Sequence, residues 1–390
     1  MKKLTIITTR PFFPANGGDK VRVEGFYNHF KQNLNLDITV IVQFKSKKDF
    51  ILFKKKIGPY IEVIGIHFSI FKALLNIIIG YFKSFTPLQI LMFDQKNKQV
   101  IETLKKSDII YSHLIRNHNI LKGYEYKTIL DATDSLSFSY SSLKKNIFSI
   151  KYWFFKIDQK RIFEFEKKAH EYYNKIIFIS ENDVNFLYKK SRPKNIKIIK
   201  NGVKKPAQIV QKFKNKKSIL FIGNLNSIPN QNAVKFVMKN ILPFLDKEIY
   251  FTIAGNKASD LKIPSNLKNR IKCIKNYNDP SIFQNSCFCG IAPMMEGAGL
   301  QNKILDYLNI GLTALSSELG NNGFTEYLNS PIIICKNDKQ FINKINQLFK
   351  MSEKESRTLH NLNRSFIVKY FSWDKQFVNL NLFDKTTNWS

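Results

Sequence analysis

The segment Pro293 to Leu308, PMMEGAGLQNKILDYL, gathers in one short stretch the groups that an activated sugar requires. A nucleotide diphosphate sugar needs amide N–H groups and a cation for its phosphates. It also needs one carboxylate for ribose hydroxyls and another for sugar hydroxyls. An apolar strand is expected to end at Ala292, and the loop after it holds Glu296, Gly299, Leu300 and Gln301. A helix is expected near Asn302, a suitable N-cap. Lys303 then falls in its first turn, Asp306 one turn later, and Gly311 closes it. The start of a helix favours an anion through its unpaired amides and its dipole. An ordinary i, i+3 surface pair of Lys303 and Asp306 is the plain alternative.

Three weaker candidates lie nearer the N-terminus. Gly17 and Gly18 follow the first apolar run and lack Cβ atoms, so the backbone there can approach a phosphate or an acceptor. Lys20 and Arg22 add charge beside them, although the pair is not a GxGxxG motif. In Asp131-Ala-Thr-Asp134-Ser-Leu, one carboxylate could orient an acceptor hydroxyl; the alternative is a turn or helix cap. His113 follows the run IIYS, where a lone histidine is either a cleft residue or a structural one.

The elements that must hold these residues follow a repeating plan. Lys3 to Thr9 reads as a central parallel strand, apolar and β-branched. A helix from Lys20 to Asn33 and a strand from Asp37 to Gln43 complete a βαβ unit. Further strands are expected at Ile61 to Ile66, Ile109 to Ser112, Thr128 to Asp131 and Lys175 to Ser180, with a long helix from Tyr152 to Tyr173. The pattern restarts after the Lys-rich link Lys212 to Lys217. Strands are expected at Ser218 to Gly223, Ile249 to Ala254, Ile271 to Ile274, Cys287 to Ala292, Thr313 to Ser316 and Ile332 to Cys335. A helix runs from Asn232 to Leu245, and a last helical segment from Glu353 to Phe383. Two successive β/α series mean two doubly wound domains, whose ligands bind beyond the carboxyl ends of the strands.

Composition bounds the function. A chain of 390 residues with 44% hydrophobic and 24% charged residues has material for two cores. The four cysteines form no CxxC pair and no zinc spacing, so they read as core residues of a reducing compartment. No secretory signal opens the sequence. The most apolar stretch, Ile70 to Phe93, is interrupted by Lys72, Lys83 and Pro87 and falls short of a membrane span. It reads as an amphipathic helix that can rest on a membrane surface. The net charge of +32 fits a lysine-rich coding bias or attraction to an anionic membrane or lipid-phosphate acceptor. Nucleic acid is disfavoured, since the lysines are scattered and no zinc-finger, RRM or KH signature occurs. Walker A, HExxH and DxD motifs are absent, so no metal or other cofactor is expected.

Several of these residues fall into patterns already known. The chain resembles the retaining glycosyltransferases of family 4, and within them the branch of sugar transferases of exosortase or PEP-CTERM gene clusters. RPFFPANGGDKVR is similar to that branch's R-x-P-x-P-P-x-K-G-D-K-x-R, and DATDSLS to its D-x-x-D-x-x-S. Asn201-Gly-Val203 matches N-G-V, FIGNLNSIPNQNAVKF matches F-x-G-x-x-x-x-x-P-N-x-x-A-x-x-F, and GLQNKILDYL matches G-x-x-N-K-x-L-E-A. The resemblance implies an α/β GT-B fold, with two Rossmann-like doubly wound domains facing a cleft. It implies sugar transfer from a nucleotide donor with retention.

Carried over, Glu296 and Lys303 are catalytic candidates; Asp134 and His113, read from their strand ends, join them. The donor would meet Gly17, Gly18, Gly223, Asn224, Gly299, Leu300, Gln301, Asn302, Lys303 and Asp306. Here Glu296 and Asp306 stand further apart than the family's paired glutamates, and Asp306 replaces the second of them.

The expected domains are 1–205 on the acceptor side, 206–365 for the nucleotide sugar, and 366–390 as a helix packing back on the first. The acceptor would be a glycan or a lipid-linked molecule, in polysaccharide or glycoconjugate synthesis. The expected place is the cytoplasm, peripheral on the inner membrane face. Two other classes stay open: an epimerase or hydrolase of nucleotide sugars on the same scaffold, and a non-catalytic basic protein binding membrane or nucleic acid.

Overall fold

A computed structural model describes all residues except 15–17, 34–35, 142–149, 190, 205–212, 276, 278, 297–299, 379 and 381–390. Two expected site residues, Gly17 and Gly299, therefore lie outside the described residues. The chain divides into two compact units. The first comprises Met1–Lys200 with Phe377–Ser390, and the second Asn201–Gln376.

The first unit is built on a parallel sheet of seven described strands. These are β1 (Lys2–Thr8), β2 (Leu36–Phe44), β3 (Glu62–His67), β4 (Ile109–His113), β5 (Thr128–Thr133), β6 (Lys175–Phe178) and β7 (Ile196–Ile198), in the order β3-β2-β1-β4-β5-β6-β7. The second unit repeats the plan with β8 (Ser218–Ile222), β9 (Tyr250–Ala254), β10 (Ile271–Ile274), β11 (Cys287–Ala292), β12 (Thr313–Ser316) and β13 (Ile333–Ile334), in the order β10-β9-β8-β11-β12-β13. Central strands such as β1, β4 and β8 are buried on both faces. This fits their apolar segments, Ile6-Ile7 in β1, Ile109–Tyr111 in β4 and Ile219–Ile222 in β8. In each unit the strand order reverses once, between β1 and β4 and between β8 and β11. Those are the points where an open α/β sheet opens a crevice for a ligand.

A buried ion pair ties the first unit together. Arg22, on the helix Gly18–Asn33, has no solvent exposure. Its Nε donates to both Asp131 oxygens at 2.9 and 2.7 Å, and a terminal nitrogen donates to the Ile199 carbonyl at 2.8 Å. The Tyr111 hydroxyl donates to the same carboxylate at 2.5 Å. The guanidinium also lies 5.3 Å from the Phe26 ring centre. The sequence reading had Arg22 add charge to a phosphate or acceptor contact. Instead it neutralises Asp131 inside the core, and it removes that carboxylate from the candidates for an acceptor contact.

Other boundaries moved for physical reasons. The helix expected from Asn232 begins at Ile228, because Pro229 fits the first turn, where an N–H is not needed. The last helical segment breaks at Ser372 into Glu353–Phe371 and Trp373–Phe377. There Val203 donates to the Phe371 carbonyl at 2.7 Å and bridges to Ser372. A Cβ on Gly202 would meet the Trp373 ring at 2.5 Å, so glycine lets the Asn201-Gly-Val203 strand lie against that break. Phe377 returns to the first unit, where its ring stacks on His29 at 4.1 Å. No described helix is long and apolar enough to cross a membrane.

Arg22→Met leaves the Asp131 charge buried without its cation. It is expected to cost roughly 3–5 kcal/mol in urea unfolding. Arg22→Met combined with Asp131→Leu is expected to cost less than Arg22→Met alone, because no lone charge is stranded.

Candidate functional site

In the second unit, the loops after β8 and β11 meet at the crevice point. The loop after β8 starts with Gly223 and Asn224. A Cβ on Gly255, whose φ is +137°, would fall 2.1 Å from the Gly223 carbonyl oxygen, so this sheet end tolerates no side chain there. A Cβ on Gly223 would meet the Asn230 carboxamide at 3.1 Å. Asn230 in turn donates to the Asn224 carbonyl at 2.9 Å, which shapes the loop.

The loop after β11 leads into the helix Asn302–Asn309. The sequence reading placed Asn302 at the N-cap. In the structure Gln301 holds that position and gives no side-chain cap, and Asn302 is already helical. The Asn302 side chain is used instead as an acceptor for Asn201, at 2.7 Å. The first amides of an α-helix have no partner within it, so the absence of a side-chain cap leaves this end suited to an anion. Tyr307 fixes the helix to the sheet. Its hydroxyl accepts from the Ile222 amide at 2.9 Å and donates to the Ile291 carbonyl at 3.2 Å. A Cβ on Gly290 would meet the Tyr307 ring at 2.2 Å, so this packing requires glycine in β11.

Lys303 lies at the centre of this arrangement. Only 7% of its surface is exposed. Its ammonium donates to Asn230 Oδ1 at 3.0 Å and Gln301 Oε1 at 3.1 Å, contacts Met294 Sδ at 3.4 Å, and sits 5.2 Å from the Phe221 ring centre. All of these partners are neutral, and among the described residues no carboxylate pairs with it within salt-bridge distance. Burial pushes its pKa down to about 8, against the opposing pull of Asp306. The group is therefore mostly cationic at neutral pH and has no paired anion among the described residues.

Asp306 follows one turn later and is half-buried. Burial, with Asp279 nearby, pushes its pKa up to about 7. Glu296 is also half-buried, and its Oε1 accepts from Asn232 at 3.3 Å. Thus two asparagines of the segment PNQN orient the two candidates, Asn230 for Lys303 and Asn232 for Glu296. Sequence reasoning missed both asparagines as site residues, although the segment itself stood out. The Leu300 side chain is buried against Gly323, where a Cβ would meet it at 2.6 Å. Any ligand contact from Leu300 would come from its backbone.

The first-unit candidates sit at the carboxyl ends of their own strands. Gly18 opens the helix Gly18–Asn33, and Lys20 donates to the Pro14 carbonyl at 3.5 Å. His113 ends β4 and is 2% exposed, and among the described residues its Nε2 has no hydrogen-bond partner. Burial pushes its pKa down to about 4, so the ring is neutral. Asp134 is half-buried just after β5. Burial, followed by the influence of Asp183, pushes its pKa up to about 7. Its neighbours are fixed by Glu166, which no local pattern singled out. That carboxylate accepts from the Leu136 amide at 2.7 Å and from the hydroxyls of Ser135 at 2.8 Å and Ser137 at 2.6 Å. It anchors the start of the helix Leu136–Ser141 from a helix some thirty residues further along the chain.

Residues 216–351, most of the second unit, match the family described as Glycosyl transferases group 1. The fold is GT-B. With 12% identity, the chain resembles Anabaena HepE, solved with UDP and glucose, over 97% of its own length and 98% of that chain, at a TM-score of 0.65. It resembles a mutant of S. aureus TarM, solved with fondaparinux, alpha-GlcNAc-glycerol and UDP, over 98% of its length and all of that chain, at 12% identity and a TM-score of 0.67. A relative in sequence is an uncharacterized 44.6 kDa protein in the cps region of Klebsiella pneumoniae. It is 24% identical over 384 residues, covering 88% of this chain and 90% of that protein. Domain match and fold together support a glycosyltransferase of the GT-B fold.

The Asp306 pKa gives a stability test. In the folded chain it is raised to about 7 from the ordinary 3.8, so the fold binds more protons between those values. Stability from this group is present at low pH and is lost as pH rises through about 7. Asp306→Asn is expected to raise Tm at about pH 8 and to leave it unchanged at about pH 3.5, below both pKa values.

Proposed function

We propose that the protein transfers a sugar from a nucleotide-sugar donor to a glycan or lipid-linked acceptor, with retention at the anomeric carbon. The observation that carries this reading is the buried Lys303 ammonium, held by neutral partners beside a helix start that has no side-chain cap. A diphosphate supplies the anion that this site lacks. It would lie against the first amides of the helix Asn302–Asn309 and against Lys303 Nζ. Asp306 would accept ribose hydroxyls, and Glu296, steadied by Asn232, would accept hydroxyls of the donor sugar. The Gly223 and Asn224 backbone would border the nucleotide, with Gly18 near the phosphates or acceptor.

As the glycosidic C–O bond breaks, charge grows on the leaving phosphate oxygen. A cation already in place, with little water around it, stabilises that charge strongly. The acceptor oxygen attacks the face that the diphosphate leaves, and the diphosphate takes the acceptor proton. In this reading Lys303 supplies the positive charge, and no metal or other cofactor is required. Neutral His113 would accept a hydroxyl through its ring nitrogen, and Asp134, near its pKa at neutrality, would orient the acceptor. HepE and TarM have been solved with UDP, and TarM with glycan ligands. By analogy, a UDP-sugar is the first donor to try. The reaction belongs, in the same reading, to cell-surface polysaccharide or glycoconjugate synthesis on the cytoplasmic side, with the chain peripheral on the inner membrane face.

A thermal-shift panel of UDP-, GDP-, ADP- and CMP-sugars is expected to show stabilisation by one class of donor; none would count against the reading. Release of nucleotide that requires an acceptor separates a transferase from an epimerase or hydrolase.

Lys303→Met is expected to lower kcat/KM by about 100-fold or more, without lowering Tm, because it removes a buried charge. Wild-type affinity for the nucleoside diphosphate is expected to weaken as pH rises through about 8, where Lys303 loses its proton. The Lys303→Met variant should show no such step.

A further inference from the structure

The helix Ile70–Lys83 is built with its sides reversed relative to an ordinary surface helix. Its inner face combines small and polar residues with Ile77 and Tyr81. Ala73 is buried, Asn76 donates to the Asp94 carbonyl at 2.8 Å, and a Cβ on Gly80 would meet Leu91 at 2.5 Å. Those small groups let it lie flat on the short helix Leu88–Phe93. Its outer face carries the large apolar side chains. Phe71, Leu74, Leu75, Ile78, Ile79 and Phe82 are 44–84% exposed. Their spacing puts them on one side of the helix. They stay largely exposed, and a contiguous exposed apolar face of this kind marks a surface that meets something else.

The face continues onto a second helix. Arg161, on Ile150–Tyr172, donates to the carbonyls of Tyr81, Ser84 and Thr86 at 3.1–3.2 Å, and its guanidinium lies 5.2 Å from the Phe85 ring centre. Ile157 and Trp153 are one and two turns before Arg161 on the same side of that helix. They are 48% and 50% exposed. Charge says what the face meets. Residues 70–93 contain no Asp or Glu, while Lys72 and Lys83 flank the apolar stripe. On the second helix, Lys156 and Lys160 are exposed and the acid among them, Asp158, is buried. The whole chain carries a net charge of +32.

We infer that this face docks on an anionic lipid surface, with the apolar stripe entering the headgroup boundary and the lysines meeting lipid phosphates. The inference deepens the peripheral-membrane part of the proposed function by assigning it to these two helices. It does not depend on donor chemistry.

The test is co-sedimentation of the full chain with vesicles of phosphatidylcholine alone or mixed with phosphatidylglycerol, at low and high salt. It compares wild type with the triple variant Phe71→Ser, Ile78→Ser, Phe82→Ser. Wild type is expected to bind the mixed vesicles more than the neutral ones, and less at high salt. The variant is expected to bind about tenfold more weakly or worse, with its Tm and its thermal shift with donor unchanged. Equal vesicle binding by the variant, or no binding by wild type, would overturn the inference. So would wild-type self-association that the variant abolishes in the absence of vesicle binding, which would give the face to a second copy of the chain. Each of these outcomes leaves the donor shift to judge the transferase reading on its own.

Discussion

A buried ammonium without a paired carboxylate is an expensive feature for a fold to keep, because removing a cation from water costs free energy that neutral dipoles only partly restore. Lys303 is such a group. Three neutral side chains and an aromatic ring hold it at the start of a helix that has no side-chain cap. Burial lowers its pKa to about 8, in the direction that such a cost requires. In the proposed reading, the same kind of guest, a compact anion, would relieve both the helix end and the ammonium.

The rest of the second unit can be read as the frame for that feature. Tyr307 joins the helix to β8 and β11, and Gly290 makes room for its ring. Gly223 and Gly255 close the end of β8 tightly enough for Asn230 to reach Lys303. The first unit uses the same strand order but a different electrostatic plan. There Arg22 and Asp131 cancel each other in the core. Among the carboxylates with raised pKa values, Glu166 and Asp183 both accept from Ser135 just beyond β5, close in sequence to Asp134.

Much of the fold was legible in the sequence, because the central parallel strands carry short runs of large apolar residues and their ends coincide with glycine or polar residues. The bounds expected for β10, β11 and β12 are those observed. The strand β7 was missed, since Ile196-Lys-Ile198 is short and sits in a lysine-rich run that carries no strand signal. The helix Asn302–Asn309 and the burial-sensitive pair Lys303 and Asp306 were legible from one strand, loop and helix pattern. What was not legible depends on contacts distant in sequence. Asn230 and Asn232 act through a neighbouring loop, and Glu166 reaches the start of another helix. Arg22 looked like a surface cation beside two glycines, and only its distance to Asp131 shows where its charge goes.

The most direct measurement is a crystal structure of the chain grown with UDP. The account predicts the diphosphate within hydrogen-bond distance of Lys303 Nζ, about 3 Å, and of the first amides of the helix Asn302–Asn309, with the ribose beside Asp306. UDP bound elsewhere, with Lys303 still held only by Asn230, Gln301 and Met294, would contradict it.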